Sequence, residues 1–241
     1  MTETAKAPVR CGLSGTALKY IACITMLIDH IGASCIEAGI LLPALAAGAA
    51  SCSGIPVSTL LAADRVLRYI GRLAFPIFCF LAVEGFVHTH NVKGYLGRLV
   101  LFGILSEVPF DLAFFRTPFD PSAQNVYWTL ALGVLAMAGL KRFEKENGLP
   151  GWQGLVWAGG CAALALAANT DYHAIGVLII CTLYLTRADR KRQCLAGALL
   201  FLFELTAPLA FVLVWFYNGQ RGACSPLQKK AFYWFYPVHL L

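Results

Sequence analysis

The residue pair best suited to chemistry is Asp29–His30, near the end of the apolar stretch LKYIACITMLIDHIG. An ionisable pair inside an apolar span costs free energy, so its presence indicates a function. Histidine titrates near neutral pH and can act as a general base, and a carboxylate can fix its tautomer. We predict that His30 is a catalytic base and that Asp29 orients it. The alternative is that the pair only caps or anchors the helix end near the membrane interface.

Lys19 precedes His30 by eleven positions in the same stretch. A helix of 3.6 residues per turn places both on nearly one face, separated by roughly 16 Å along the axis. The two side chains therefore cannot touch, but a long substrate can contact both. We predict that Lys19 binds such a substrate.

A second apolar run, 66–87, contains Arg72 and Glu84 with Pro76 between them. Proline removes one backbone hydrogen bond and tends to kink a helix, which a membrane helix tolerates beside a cavity. We predict that Arg72 and Glu84 bind substrate. Arg72 can also simply extend its charge to the membrane surface, and Glu84 can form an ion pair with His88 four residues later.

A third apolar run, 94–115, contains Glu107 and Asp111 four residues apart on one helix face. Two carboxylates on one stripe repel, so one of them is protonated or paired with a cation. Arg72 is the obvious cation. This arrangement favours the wall of a polar substrate cavity over a purely structural ion pair.

Five further residues complete the candidate substrate-binding set. The polar loop NTDYH contains Asp171 and Tyr172, and the turn YNGQRG contains Asn218 and Arg221. Asn-Gly favours a tight bend, and arginine suits an anion. His239 lies in the aromatic segment FYWFYPVHLL, where a lone histidine is more often a satisfied core residue than a catalyst.

The composition indicates an integral membrane protein. The chain is 59% hydrophobic and 13% charged, with a mean hydropathy of +0.67, whereas soluble domains carry about 25% charged residues. The net charge of +6 comes from short Lys/Arg clusters between apolar runs, which predicts orientation in a membrane and not nucleic-acid binding. The nine cysteines form no CxxC pair, so we predict no metal site. Motifs of serine hydrolases and nucleotide-binding pumps do not occur.

A membrane span needs about 20 residues. On that basis we predict an all-α, polytopic bundle of eight or nine spans, some kinked or short, as one domain over 18–241 after a polar N-terminus over 1–17. The predicted spans lie near 16–36, 66–87, 94–115, 126–141, 153–170, 174–187, 194–217 and 229–241. The stretch 40–50 is too short to cross and is predicted as a re-entrant or interfacial helix.

The run 194–217 allows two topologies, because Glu204 and Pro208 interrupt its middle. It can form one span or a tight helical hairpin. The Lys/Arg count between spans places the N-terminus in the cytoplasm, and the hairpin keeps Arg221, Lys229 and Lys230 on that same side. We therefore favour the hairpin.

Six segments, in this order, resemble the TraX family over about Leu18 to His239: LKYIACITMLIDHIG, GRLAFPIFCFLAVEGF, RLVLFGILSEVPFDLAF, TDYHAIGVL, YNGQRG and FYWFYPVHLL. The named member of that family is a bacterial inner-membrane protein that N-acetylates the pilin subunit of a conjugative plasmid. The resemblance implies a multi-pass acetyltransferase of the bacterial inner membrane.

The spacing of Lys19 and His30 is also similar to an arginine–ten residues–histidine pattern in type 3 membrane acyltransferases. Those proteins carry an arginine ahead of a Pro-Phe-rich span, which the segment after Arg72 resembles. The likeness implies acetyl-CoA as acyl donor and His30 as general base or transient acyl carrier. Lysine in the arginine position replaces a guanidinium group, which can form two parallel hydrogen bonds to one ligand, with an ammonium group, which acts as a point charge.

Two questions stay open at this level. The acceptor is a protein N-terminus, a glycan or a lipid in contact with the bilayer. One alternative function is a small-solute or proton-coupled transporter, because intramembrane carboxylates with kinking prolines fit that class too. Another is a non-catalytic membrane assembly factor. The halves of the chain show no inverted repeat, which favours the acyltransferase.

Overall fold

A computed structural model describes residues 12–146 and 148–241 and confirms an all-α architecture. The helices are α1 (Gly15–His30), α2 (Leu42–Ala46), α3 (Val57–Gly71), α4 (Ala74–Val87), α5 (Val92–Phe114), α6 (Val126–Arg142), α7 (Trp152–Ala167), α8 (His173–Leu185), α9 (Arg190–Leu200), α10 (Ala210–Trp215) and α11 (Pro226–His239). A π-helical segment, Ile31–Leu41, joins α1 to α2, and a 3₁₀ turn, Ala207–Leu209, precedes α10. Strands β1 (Ser51–Cys52) and β2 (Ile55–Pro56) form a short antiparallel hairpin. The predicted polar N-terminus over 1–17 lies outside the described residues up to position 11.

The first helical segment is longer than predicted. It runs without interruption from α1 through the π-helical segment to the end of α2, so the prediction of a separate helix over 40–50 is wrong. Gly39 and Pro43 lie within this segment and do not end it. Gly48 adopts a φ of +66° and Ala49 N–H bonds back to Ala44 O at 2.9 Å, which is a typical helix C-terminus.

The predicted span 66–87 is two helices, α3 and α4, separated at Arg72–Leu73. The ring of a proline clashes with the carbonyl four residues earlier, which for Pro76 is that of Arg72. The chain therefore breaks one turn before the proline instead of bending at it. This break places Arg72 at a helix junction.

The run 194–217 forms a helical hairpin, as favoured above. Helices α9 and α10 pack against each other, and the turn between them contains Glu204 and Pro208. The hairpin returns the chain to the end of the bundle where α1 begins, because Thr16 N–H donates to Arg221 O at 2.8 Å.

Two helical segments in the described part of the chain are long and apolar enough to cross a membrane: Gly15–Ala46, and Val57–Val87 when α3 and α4 are taken together across their short junction. Helices α7 and α8 are shorter apolar helices. Helix α5 is also long, but it contains Lys93, Arg98, Glu107 and Asp111. The apolar helices agree with a membrane protein, and the count of eight or nine spans stays a prediction.

Helix α4 is the centre of the bundle. It is buried on nearly all sides and packs against α1, α6, α8 and α10. Arg72 precedes its first turn, and Glu84 lies in its last turn. The central helix therefore defines two ends. We call the end containing Lys19 and Glu84 the basic end, and the end containing Asp29 and Arg72 the polar end.

Candidate active site

The polar end brings His30 together with His239, the last residue of α11. His30 Nδ1 lies 2.6 Å from His239 Nε2, and the planes of the two rings are nearly parallel, with an interplanar angle of 5°. His239 Nδ1 lies 2.7 Å from Phe235 O, one helical turn earlier. The rings of Phe114 and Tyr236 contact His30 edge-on. Aromatic rings therefore hold the histidine pair in place. Among the described residues nothing is hydrogen-bonded to His30 Nε2.

Asp29 contacts a different helix and is not brought to His30. Consecutive residues point about 100° apart on a helix, and Asp29 faces α3. Its Oδ2 lies 2.5 Å from Arg68 Nη1. The close approach requires glycine at position 71, because a Cβ on Gly71 would collide with the Asp29 side chain. The geometry gives Asp29 the role of an ion-pair partner for Arg68.

Arg72 forms its ion pair with Glu204 in the hairpin turn, at 2.8 Å. The hydroxyl of Tyr172 donates to the same oxygen, Glu204 Oε1, at 3.3 Å, and its ring stacks on Phe75. The second oxygen, Glu204 Oε2, is buried and has no hydrogen-bond partner among the described residues. Arg72, Tyr172 and Glu204 therefore join α3, α8 and the hairpin.

The prediction that Arg72 pairs with Glu107 or Asp111 is wrong. Glu107 accepts hydrogen bonds from Asn125 Nδ2 and from Trp128 Nε1. Asp111 is fully buried and accepts a backbone N–H from the α5–α6 loop at 2.9 Å. Both carboxylates face the α6 side of α5, so they fix that connection, and Arg72 lies against the hairpin.

The loop that contains Asp171 lies at the polar end, where the sequence predicted it. The backbone N–H of Asp171 donates to Gln124 O at 2.8 Å, and Thr129 Oγ1 donates to Asp171 O. Burial, followed by the nearby Glu204 carboxylate, raises the pKa of the Asp171 carboxyl from 3.8 to about 6, although Arg72 opposes the shift. The charges of the Arg72–Glu204 pair therefore act on the pKa of the Asp171 carboxyl.

A cavity of about 530 Å³, here called the polar cavity, opens at this end. Charged residues that line it include Glu37, Asp64, Arg65, Arg68, Arg72 and Glu204. Asp64 is only 8% exposed, and its Oδ1 has no hydrogen-bond partner in the described part of the chain. Buried carboxylate oxygens without donors suit a ligand that donates hydrogen bonds.

A second cavity, of about 690 Å³, lies at the basic end and is here called the basic cavity. Its lining contains the cations Lys19, Arg98, Arg221, Lys229 and Lys230. Aromatic and apolar side chains, among them Tyr95, Phe102, Leu130, Phe232 and Trp234, line the rest of it. Cations beside aromatic rings suit an elongated ligand with phosphate and planar ring groups.

The structure brings Lys19 and Arg221 together at the basic cavity, as substrate-binding residues of one site would be. Lys19 Nζ lies 5.6 Å from the centre of the Phe232 ring. Glu84 also lines this cavity, with Arg190 at 3.7 Å and His88 at 3.9 Å. Glu84 and His88 are therefore neighbours at the helix end, as predicted, and Arg190 is a cation beside the same carboxylate.

Asn218 has a structural position. Its Oδ1 accepts the N–H of Gln220 at 2.9 Å, and its Nδ2 donates to Gly12 O at 3.3 Å. Its backbone N–H donates to Leu13 O. These hydrogen bonds hold the turn that covers the start of α1, and a role of Asn218 in substrate binding stays a prediction.

Arg68 and Glu204 are two of the polar-end residues that were not among the predicted site residues, and Asp64 is another. Arg68 precedes Arg72 by four positions, a spacing that places two cations on one helical face. Glu204 interrupts an apolar run, which is the same signal that identified Asp29. The sequence contains both signals, but neither identifies the residue with which the charged side chain pairs.

Comparisons with known proteins agree with the resemblance noted from the motifs. The family model described as TraX protein matches residues 14–241. A probable fimbrial assembly protein FimC, serogroup H1, from Dichelobacter nodosus is 34% identical over 208 residues, covering 72% of this chain and 80% of that protein. No solved structure matches. The chain therefore belongs to the TraX family.

Proposed function

We propose that the protein is a multi-pass inner-membrane acyltransferase that moves an acetyl or similar group from acyl-CoA to an amine or hydroxyl acceptor. The observation that carries the proposal is the placement of His30. Among the described residues nothing is hydrogen-bonded to its Nε2. It lines neither cavity, and it lies roughly 16 Å along α1 from Lys19 of the basic cavity. A donor with its charged groups at one end and its thioester at the other spans such a distance.

The basic cavity fits the chemistry of coenzyme A. The molecule contains several phosphates, which the five lining cations would bind, and an adenine ring, which Phe232 or Trp234 would stack against. The inner part of the cavity is lined by Phe102 and Tyr127. Tyr127 contacts Tyr236, which in turn contacts His30. The acyl end of the donor would therefore enter next to α11.

The proposed orientation places the basic end in the cytoplasm. Lys19, Arg221 and Lys230 lie at this end, and membrane proteins concentrate such residues on the cytoplasmic side. Acyl-CoA is supplied from the same compartment. The polar end then faces the outer side of the membrane, and the bundle would contain the predicted eight or nine spans, two of them in the α9–α10 hairpin.

The proposed acceptor approaches from the polar cavity. Asp29, Asp64 and Glu204 each have one buried carboxylate oxygen without a hydrogen-bond donor among the described residues, and amines and hydroxyls are such donors. The FimC relative is named as a fimbrial assembly protein. We extend that to this chain as a proposal that its acceptor is a subunit of a surface fibre.

The proposed reaction is a single acyl transfer. The acceptor nitrogen or oxygen attacks the thioester carbonyl carbon, and a new C–N or C–O bond forms as the C–S bond breaks. His30 Nε2 takes the acceptor proton and passes it to the departing thiolate, so that free CoA thiol and the acylated acceptor are the products. Arg72 is a candidate for stabilising negative charge that develops on the carbonyl oxygen.

The test is transfer of labelled acetyl from acetyl-CoA in membranes that contain the protein and its candidate pilin. We expect His30→Ala to abolish transfer at unchanged expression, and His90→Ala, an exposed histidine outside both cavities, to retain it. Acetyl-CoA should also raise the Tm of the purified protein, as any ligand of the folded state does. Absence of both stabilisation and transfer would favour a transporter and refute the proposal.

A further inference from the structure

We propose that His239 is a positioning residue that fixes the tautomer of His30, so that Nε2 of His30 is the base. The catalytic consequence rests on the proposed acyl transfer, but the tautomer itself does not. The inference follows from two hydrogen bonds, one between the histidines and one from His239 to the backbone.

The direction of each hydrogen bond follows from what its atoms can do. Phe235 O only accepts, so His239 Nδ1 bears the proton in their 2.7 Å contact. A neutral imidazole has one N–H, which leaves His239 Nε2 as an acceptor. In the 2.6 Å contact between the rings, His30 Nδ1 must therefore donate. The lone pair of neutral His30 is then on Nε2, the atom without a partner in the described chain.

Among the described residues, His239 Nε2 is the one hydrogen-bond partner of His30 Nδ1. Asp29, the adjacent carboxylate, is held by Arg68 at 2.5 Å on the other side of α1. Arg68 itself is a cation and cannot accept a proton. Stacking of Phe235 on His239, with ring centres 4.5 Å apart, fixes the orientation of the positioning ring.

This arrangement gives His239 the part that a carboxylate has in a catalytic triad. When His30 Nε2 takes a proton, its Nδ1–H still donates to the His239 lone pair, and the imidazolium is stabilised and held in place. Loss of a partner that orients a metal-bound histidine typically costs about 10- to 100-fold, and a wrong tautomer in serine proteases costs about 10⁴-fold. An effect on the order of 10²-fold on kcat is therefore expected.

The direct test is ¹⁵N NMR of the full protein, labelled at its five histidines, in detergent micelles at a pH where imidazole is neutral. The His30 signals are assigned as those lost in His30→Asn. We expect His30 to be protonated at Nδ1 in the parent. In His239→Leu we expect a shift to the Nε2–H form that free histidine prefers. A parent His30 that is protonated at Nε2, or an unchanged tautomer in His239→Leu, would overturn the inference.

A kinetic test separates positioning from folding. His239→Leu should lower kcat about 100-fold with KM for acetyl-CoA unchanged. His239→Gln, whose side-chain oxygen can accept the Nδ1 proton, should keep the tautomer and most of kcat. Equal loss in both variants would assign His239 a merely structural role. If the parent transfers no acetyl group, the proposed function fails, while the NMR result still decides the tautomer.

Discussion

Replacement of Arg72 by methionine should show how much the Arg72–Glu204 ion pair contributes to the free energy of unfolding. The change removes the cation and keeps much of the side-chain volume. It leaves Glu204, whose side chain is 11% exposed, with Tyr172 as its remaining hydrogen-bond donor among the described residues. A buried carboxylate that loses its cation is destabilising because its desolvation is no longer compensated.

The magnitude follows from the burial of the two partners. Breaking a fully buried pair costs about 3–5 kcal/mol, and an exposed pair contributes about 0–1 kcal/mol. The Arg72 side chain is 33% exposed, so the pair is intermediate, and we expect about 2–3 kcal/mol for Arg72→Met. Glu204→Gln should cost less, about 1 kcal/mol, because the more exposed arginine can turn toward water.

The assay is reversible unfolding in mixed micelles, monitored by helical circular dichroism, for both single variants and Arg72→Met/Glu204→Gln. The double variant should cost less than the sum of the single variants by about 1–2 kcal/mol. A matched control is Arg65→Met, which removes a cation of the same cavity that forms no ion pair with any described residue. Strict additivity, or a larger cost for Glu204→Gln than for Arg72→Met, would refute the reasoning.

Three further predictions concern packing, titration and capping. Gly71→Ala should cost about 2 kcal/mol by overpacking against Asp29, measured by the same unfolding assay, whereas Gly159→Ala, with open space at its Cβ, should not. The pKa of Asp171 is about 6 in the folded protein and 3.8 when unperturbed, so the folded state binds the proton more tightly. The free energy of unfolding should therefore fall as pH rises from about 4 to about 6. Asp171→Asn should flatten that slope when unfolding is measured over a pH series. Ser225→Ala removes the N-cap of α11 and should cost about 1 kcal/mol, seen as a lower Tm; an unchanged Tm would contradict that role.

Much of the fold was predictable because apolar runs and their breaks are local signals. The hairpin over 194–217 followed from one buried acid, one proline and the charges after them. The length of the first helix did not follow, since a π-helical segment continues it past the expected end. The break before Pro76 was displaced from the expected kink because the proline clash acts four residues upstream.

The sequence predicted individual residues of the site, but it did not predict which residues pair with one another. Asp29, His30 and Arg72 stand out because charge inside an apolar run is unusual. Their partners depend on which helices are neighbours, and α1 has α3 on one side and α11 on another. Adjacent residues on α1 therefore pair with Arg68 and His239, which are far apart in sequence.

The central claim is that acyl-CoA binds in the basic cavity with its acyl end beside His30. The most direct measurement is photolabelling with an acyl-CoA that carries a diazirine in its acyl chain, followed by mass spectrometry of the labelled peptides. We expect the label on the peptides that contain His30 and Phe235–His239, with competition by acetyl-CoA and loss in Lys229→Glu/Lys230→Glu. Label confined to the lipid-facing helix surfaces, or unaffected by acetyl-CoA, would contradict the account.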